Sequence, residues 1–410
     1  MKYLLFLIIP MLLNANLTYI SNHSKDISIL ETFDIDPSFL YDDIMNDMRT
    51  KSSSSKKNKF FFRAMNNAYL YIPTIKAILT KYNIPQELLY LAMAESNFSN
   101  KAYSHKKASG IWQFMPYTAK LYNLKIDNYV DERRDFVKST EAAAKHLSHL
   151  YKQFGKWYLA IIAYNCGGGK LNRAIKEAGT DSLVVLLDSE KKYIPKESRF
   201  YIRKIMALAM IGYDENFMLK SKYEYLLNRA NASSIATIKL PAGESIQRIS
   251  KLIDIPIDEL QKLNRHLKYD FIPPYAKSYN IYIPYDKLYE FKKNYFEQPI
   301  KNIYKIHKVS SGENLSVIGK RYNVPYKMIM DFNKLKNTRL KLKQTLIIPI
   351  DKNNRIVPKK IDYKDYYTVK KGDSLESISL AYNISIKTIQ YKNNIQGSLI
   401  KIGERLKIDD

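Results

Sequence analysis

One pattern recurs three times in the C-terminal half of the chain, and it fixes most of what that half can fold into. PAGESIQRISKLIDIPIDELQKLN begins at Pro241, SSGENLSVIGKRYNVPYKMIMDFN at Ser310, and KKGDSLESISLAYNISIKTIQYKN at Lys370. The copies share Gly243, Gly312 and Gly372, each followed by an acidic residue (Glu244, Glu313, Asp373). Apolar pairs follow at Ile246/Ile249, Leu315/Ile318 and Leu375/Ile378, and the copies close on Asn264, Asn333 and Asn393. Glycine and asparagine are 21 residues apart in every copy. Self-similarity of this kind marks duplicated small units. Alternating runs (IATIKL, IHKV, YYTVK) precede the copies and others (NIYIP, TLIIP, RLKI) follow them, which predicts strands. Two short amphipathic helices lie between, so each unit reads β-α-α-β. A unit of about 45 residues folds alone only marginally, and compact modules on linkers are expected. The polar, Lys-rich stretches Tyr285–Lys301 and Asp351–Lys364 read as the spacers.

The N-terminal half differs. From about Tyr69 to Tyr213 the periodicity is helical throughout, as in TEAAAKHLSHLYKQF, where Thr140 is the expected N-cap, and KWYLAIIAYN at Lys156. Residues 69–215 therefore read as an all-α domain. Residues 16–68 read as a polar N-terminal region ending in a linker, RTKSSSSKKNK at Arg49–Lys59. Before it, MKYLLFLIIPMLLNANLTY has a Lys at position 2, an apolar run from Tyr3 to Leu13 and a cleavage site expected at Ala15. Residues 1–15 thus have the form of a secretory signal peptide, with a retained N-terminal anchor as the alternative. Cys166 is the only cysteine, so no intramolecular disulfide forms and no lipid is attached at an N-terminal cysteine. The net charge of +26 suits any polyanion: nucleic acid, anionic lipid or a carboxylate-bearing wall polymer. Charge alone does not choose among them.

In IPQELLYLAMAESNF, from Ile84, Pro85 suits the first helical position. Leu88, Leu91, Ala92 and Glu95 then share one helix face, apolar until its last member. Burial and a helix C-terminus both disfavour an anion there, and no basic residue lies within a turn. Such a carboxyl would keep its proton near neutral pH, as a general acid must. The alternative is a frayed helix end with Glu95 in water.

Downstream of Glu95–Ser96 come GIWQFMP at Gly110–Pro116, AYNCG at Ala163–Gly167 and ESRFYIRKI at Glu197–Ile205. In that order they resemble the four signatures of the soluble-lytic-transglycosylase (goose-lysozyme-like) superfamily, over about residues 80–215. The repeats are similar to the LysM module, over residues 235–285, 303–350 and 365–409. The first copy lacks the opening aromatic and carries an insertion, RHLKYDFIPPYAK, after Asn264, so it is read as degenerate. The fold class these resemblances imply is multidomain: an all-α lysozyme-like catalytic domain followed by small α+β (βααβ) LysM modules. The activity implied is lytic cleavage of peptidoglycan between N-acetylmuramic acid and N-acetylglucosamine, without water, leaving 1,6-anhydromuramic ends.

Carried over position by position, Glu95 matches the family's catalytic acid/base, and Ser96 the residue that shapes the adjoining turn. Gln113 matches an amide contacting N-acetylmuramic acid, Tyr164 a phenol hydrogen-bonded to the catalytic carboxylate, and Asn165 a contact to an acetamido group. Glu197 and Tyr201 match a carboxylate and phenol lining the cleft. Trp112 and Phe114 stand where the family often has Leu or Ile, and Cys166 replaces a small residue. LysM resemblance implies glycan contacts in loops holding Gly312, Glu313, Gly372 and Asp373, although for each of these residues, Asp373 included, helix capping is the reading preferred over ligand contact.

Other residues read as structural: Trp112, Phe114 and Trp157 as core, and Asp131, Glu132 and Asp135 as an ion-pair cluster with Arg133 and Arg134. His105, His146 and His149 lack the company a metal needs, so no metal and no cofactor are expected. The expected partner is the peptidoglycan glycan strand and not nucleic acid, in the periplasm or envelope of a bacterium, with peripheral membrane association left open. Two rivals stand: a hydrolytic muramidase on the same fold, with Glu197 activating water, and a non-catalytic wall-binding protein.

Overall fold

The computed structural model describes residues 23–54, 58–127, 129–219, 234–273, 276–296, 302–351, 366–370, 373–382 and 384–408. The expected signal peptide at residues 1–15 lies outside them, as does Gly372. The chain forms two units, one of Met1–Ile238, Ile255–Lys268 and Ile281–Lys292, the other of Lys239–Asp254, Tyr269–Asn280 and Lys293–Asp410.

The first unit is helical up to residue 219. It opens with α1 (residues 23–32), α2 (Asp43–Ser53), α3 (Asn58–Asn67), α4 (Ile72–Lys81) and α5 (Leu89–Ser96). There follow α6 (Pro116–Leu121), α7 (Phe136–Phe154), α8 (Trp157–Cys166) and α9 (Gly168–Ala178). It continues with α10 (Leu183–Leu186), α11 (Lys196–Tyr213) and α12 (Glu215–Leu219). Residues Trp157–Ala163 of α8 are buried on every side, as suits a helix that is apolar all round. Helices α7, α9 and α11 pack around it.

Two local expectations fail for identifiable reasons. The N-cap of α7 is Asp135, not Thr140; its carboxylate accepts from the Val137 and Lys138 amides, both at 3.0 Å. Thr140 is buried one turn into the helix, where its hydroxyl donates to Phe136 O and accepts from the Trp112 indole at 2.9 Å. The Ser-rich stretch after Arg49 is not linker from its start, because α2 runs through Ser53. Distant partners hold that helix. Asp42 caps it at Met45 N (2.8 Å), and the same carboxylate accepts from Arg203 Nε with both oxygens (2.9 and 3.0 Å) and from Nη2 (2.8 Å). Arg49 adds an ion pair to Asp26 at 2.6 Å.

The repeats form the expected units. β1 (Ile235–Pro241), α13 (Ile246–Leu252), α14 (Ile257–Leu263) and β2 (Ser278–Pro284) make the first, with β1 beside β2. The stretch after it, expected to be spacer, instead turns through Tyr285–Lys287 into α15 (Leu288–Asn294), which buries Phe291. The second unit is β3 (Asn302–Lys308), α16 (Leu315–Tyr322), α17 (Tyr326–Phe332) and β4 (Thr345–Asp351). Its strands pair antiparallel from Asn302↔Asp351 to Lys308↔Thr345. The third is β5 (Tyr366–Thr368), α18 (Leu375–Tyr382), α19 (Ile386–Lys392) and β6 (Arg405–Lys407).

The repeated asparagine has one job in all three units. Asn264, Asn333 and Asn393 each donate Nδ2 both to the carbonyl four residues back and to the carbonyl of Tyr282, Ile347 or Lys407 in the closing strand. Each Oδ1 accepts the amide of that same strand residue at 2.6–2.8 Å. The side chain thus stands in for a neighbouring strand and pins the second helix to the sheet; only a primary amide offers donor and acceptor in that geometry. The second and third units also share one hydrophobic core, in which Leu315, Ile318 and Ile348 join Leu375, Ile378 and Leu406. Two units too small to bury their apolar faces separately bury them together.

Replacing Asp42 by Ala removes the α2 cap and strands the Arg203 guanidinium. Thermal or urea unfolding should show a loss of about 3–5 kcal/mol, the range for breaking a buried ion pair from one side. A loss under about 1 kcal/mol would mean α2 is held by other contacts.

Candidate active site

Glu95 occupies the last turn of α5, and the helix stops there because Asn97 turns left-handed (φ 51°), followed by Phe98 (φ 57°), whose ring is buried. Residues Leu88–Met93 are buried, so the apolar face read from sequence exists, although a short 3₁₀ turn at Gln86–Leu88 precedes the α-helix. Glu95 is not in free water. It is partly buried in the wall of a cleft of about 550 Å³ that also takes in Asn165, Glu197, Tyr201 and Lys204.

Burial dominates its ionisation and pushes the carboxyl up to about 7. Two groups oppose that shift: the Tyr201 hydroxyl, which donates to Oε1 at 2.5 Å, and the positive charge of Lys204. The negative charge of Glu197 reinforces it. Burial and the adjacent carboxylate hold the Tyr201 phenol well above its ordinary range, so it stays a donor at any physiological pH.

The two tyrosines exchange the parts the family likeness implies. Tyr201, expected only to line the cleft, makes the bond to Glu95. Tyr164, expected to make it, donates to Trp112 O at 2.8 Å and so fastens α8 to the Gly110–Pro116 loop. Helix geometry explains this: Glu197, Tyr201 and Lys204 follow at i, i+4 and i+7 along α11 and share one face.

Of the remaining residues, Asn165 lines the same cleft, whereas Ser96 and Gln113 do not. Ser96 Oγ donates to Ala92 O (3.2 Å) and Ile111 O (2.8 Å), tying the end of α5 to the same loop. Gln113 is partly exposed and left-handed (φ 48°); its Nε2 donates to Gly110 O at 2.8 Å, which leaves Oε1 as the acceptor to present. Asn165 Oδ1 accepts from Ser198 Oγ at 2.6 Å, which leaves the amide Nδ2 as its donor. Trp112, Phe114 and Trp157 are core residues, as expected.

Sequence reasoning missed two contributors. Lys204 Nζ donates to Ala94 O at 2.7 Å, capping the turn that carries Glu95, and the face periodicity of α11 could have found it. Met48, Lys51 and Ser52 of α2 also line the cleft, and nothing in their Ser-rich surroundings announces that.

The repeat residues behave otherwise. Glu313 accepts from His307 Nε2 (2.7 Å) and Ser310 N (2.8 Å) and pairs with Arg321. The Ser310 amide is the main cause holding it below the usual carboxylate range. Asp373 accepts from the Tyr367 hydroxyl (2.6 Å) and Lys370 N (2.7 Å). Both carboxylates are engaged within their own turns, and Gly312 supplies a left-handed corner (φ 80°). Among the described residues there is no cluster suited to a metal, and no helix is long and apolar enough to cross a membrane.

Residues 73–183 match the Transglycosylase SLT domain family, 234–299 the LysM-like domain of lytic transglycosylase MltD, and 307–349 and 367–409 the LysM domain. The chain is 28% identical over 368 residues to membrane-bound lytic murein transglycosylase D of Escherichia coli K12, covering 84% of this chain and 79% of that one. It is 25% identical over 183 residues to the N-acetylmuramoyl-L-alanine amidase sle1 of Staphylococcus saprophyticus, covering 43% of this chain and 53% of the amidase. Among solved structures, the 70 kDa soluble lytic transglycosylase of Escherichia coli matches at a TM-score of 0.29 and 21% identity, over 49% of this chain and 29% of that one. The chain thus carries a Transglycosylase SLT domain followed by an MltD-type LysM-like domain and two LysM domains, the arrangement of a lytic transglycosylase.

Proposed function

We propose that Glu95 cleaves the β-1,4 bond between N-acetylmuramic acid and N-acetylglucosamine as the sole catalytic carboxyl, leaving a 1,6-anhydromuramic end. The supporting observation is a carboxyl raised to about 7 beside a cleft, with one oxygen held by Tyr201. The other oxygen can then carry a proton toward the glycosidic bond. In the first step that proton passes to the bridging oxygen, the muramic C1–O bond breaks, and N-acetylglucosamine departs with the proton. The 2-acetamido carbonyl supports the electron-poor C1, and the Asn165 amide is available to orient it. In the second step the muramic C6 hydroxyl attacks C1 and its proton returns to Glu95. Water is not consumed, and the nucleophile belongs to the substrate, which gives it the advantage of proximity.

A pKa near neutrality serves both steps. A lower value would leave too little acid to start, and a higher one too weak a base to finish. Gln113 Oε1, left free to accept by the bond from Nε2 to Gly110 O, is the acceptor offered to the muramic residue. The LysM modules hold the enzyme on wall glycan, which puts its site of action in the cell envelope.

Intact sacculi digested with the wild-type protein should release anhydro-ended muropeptides in the mass spectrum. Reducing ends would favour the hydrolytic rival, in which Glu197 activates water. Glu95→Gln should lower turnover at least about 100-fold; undiminished cleavage would remove Glu95 from the mechanism.

The acid must be protonated to act, so kcat/KM should hold up to about pH 7 and then fall about tenfold per pH unit. Stability follows the same ionisation. With a folded-state pKa above the unfolded one, stability is fully present below the unfolded value and is lost as pH rises through about 7. Above that pH the fold must hold a half-buried anion that Gln does not impose. Glu95→Gln should therefore raise the melting temperature at pH 8.5, by on the order of 1–3 kcal/mol of stability, and leave it unchanged at pH 4.

A further inference from the structure

Part of the first repeat, Ile255–Lys268 and Ile281–Lys292, belongs to the same compact unit as the helical domain. Asp131 N–H donates to His266 O and Lys268 N–H to Tyr129 O, both at 2.8 Å, and Val130 bridges Leu267 antiparallel between them. The insertion after Asn264, which marks this copy as atypical, is thus a short strand-like clasp. Asn100 Nδ2 fastens the preceding turn at Lys262 O, 2.9 Å away. From β2, the buried Tyr282 donates to Asp135 Oδ1 at 2.7 Å and lays its ring against Phe136, 4.5 Å between centroids. Fully buried His266 lies beside the same carboxylate, 3.9 Å from Oδ2. Tyr282 and Leu263 belong to the same hydrophobic core as α5, α7 and α8.

The segment so gripped is the one from which the Gly110–Pro116 loop hangs. Asp131 takes two bonds from Arg133, whose Nη1 donates onward to Lys107 O (2.6 Å) and Phe114 O (3.1 Å). Arg134 Nε donates to Ser109 Oγ at 3.1 Å. Gly110 (φ 81°) lies so close that a Cβ there would stand 1.7 Å from Arg133 O. A shift of residues 131–134 must therefore carry the loop with it, and Gln113 is in that loop.

We infer that the first repeat unit is a positioning element of the catalytic domain: the 265–268 clasp and Tyr282 hold Asp131–Asp135, which holds the loop presenting Gln113. Its acidic residue Glu244, bonded to Arg248 at 2.6 Å and to the Tyr295 hydroxyl at 3.2 Å, is engaged within its own turn. The second and third units are left as the pair that meets glycan. The inference rests on Gln113 contacting substrate, as proposed above.

The test uses the full chain with Trp157→Phe, which leaves Trp112 of the loop as the sole indole. Into it go Tyr282→Phe alone, which keeps the ring and loses the hydroxyl, and Tyr282→Phe with Asn100→Ala. At a temperature where every variant is folded, kcat/KM on uncrosslinked glycan strands should fall at least about tenfold in the double variant. Trp112 emission should shift to the red, while sedimentation with sacculi stays unchanged. Tyr282→Phe alone should fall between, which keeps the test alive should the double variant not fold. Unchanged kcat/KM and Trp112 emission in a folded variant would overturn the inference. So would lost sedimentation with intact turnover, since the unit would then be a tether. If the parent protein itself cleaves no glycan, the proposed function fails instead, and Trp112 emission still reads the clasp.

Discussion

The proposed chemistry depends on the partial removal of one carboxyl group from water. Glu95 costs less to place at the end of α5 as an acid than as an anion, because burial penalises the charge more than Tyr201 and Lys204 offset it. The neighbours are graded accordingly. Tyr201 donates a neutral hydrogen bond, and Lys204 acts from the far side of the Ala94 carbonyl. An arginine in the place of Tyr201 would form a charge-assisted pair and drive the carboxyl down several units, out of the range of a general acid. Burial sets the direction and the two donors temper it. That is why the surrounding helices are packed so completely while the cleft side stays open.

Much of this was legible because it was local. The apolar face of Leu88–Ala92 with Glu95 at its end, the four motifs in order and the 21-residue repeat all lie within short windows of sequence. The misreadings involve partners far apart. Thr140 looked like a cap because it begins an Ala-rich run, but Asp135 accepts two helix amides, which a threonine hydroxyl does less well. Arg49–Ser53 looked like linker by composition, since its helix is anchored from a distance, Arg49 to Asp26 and the capping Asp42 to Arg203. The exchange of parts between Tyr164 and Tyr201 depends on how α8 and α11 face α5. No pattern within either helix states that angle.

The acidic residues of the repeats teach a related lesson. Glu244, Glu313 and Asp373 share one position, and each bonds an aromatic or imidazole group together with backbone in its own turn. The donor differs: His307 and Tyr367 come from or directly after the opening strand region, whereas Tyr295 reaches Glu244 from beyond the closing one. The first unit lacks the opening aromatic, and the segment after β2, which has no spacer character in its first turns, supplies the missing hydroxyl. A repeat that looked degenerate by its first strand is complete once its C-terminal helix is counted.

That completion explains how one duplicated unit can serve two purposes. A small module has little surface to spare: what it buries against a neighbour it cannot offer to a ligand. The first unit gives part of its surface to the helical core through Leu263, Tyr282 and His266, and gains a rigid attachment. The second and third give theirs to each other in a common core. On the proposed reading this division has a kinetic advantage. A tether must release and rebind as the substrate is consumed, so its binding should be modest and its benefit should come from effective concentration. A positioning element must not release at all, because each excursion would loosen the loop it supports. Mutual burial supports the joined pair, while the buried Tyr282–Asp135 bond ties the first unit to the start of α7.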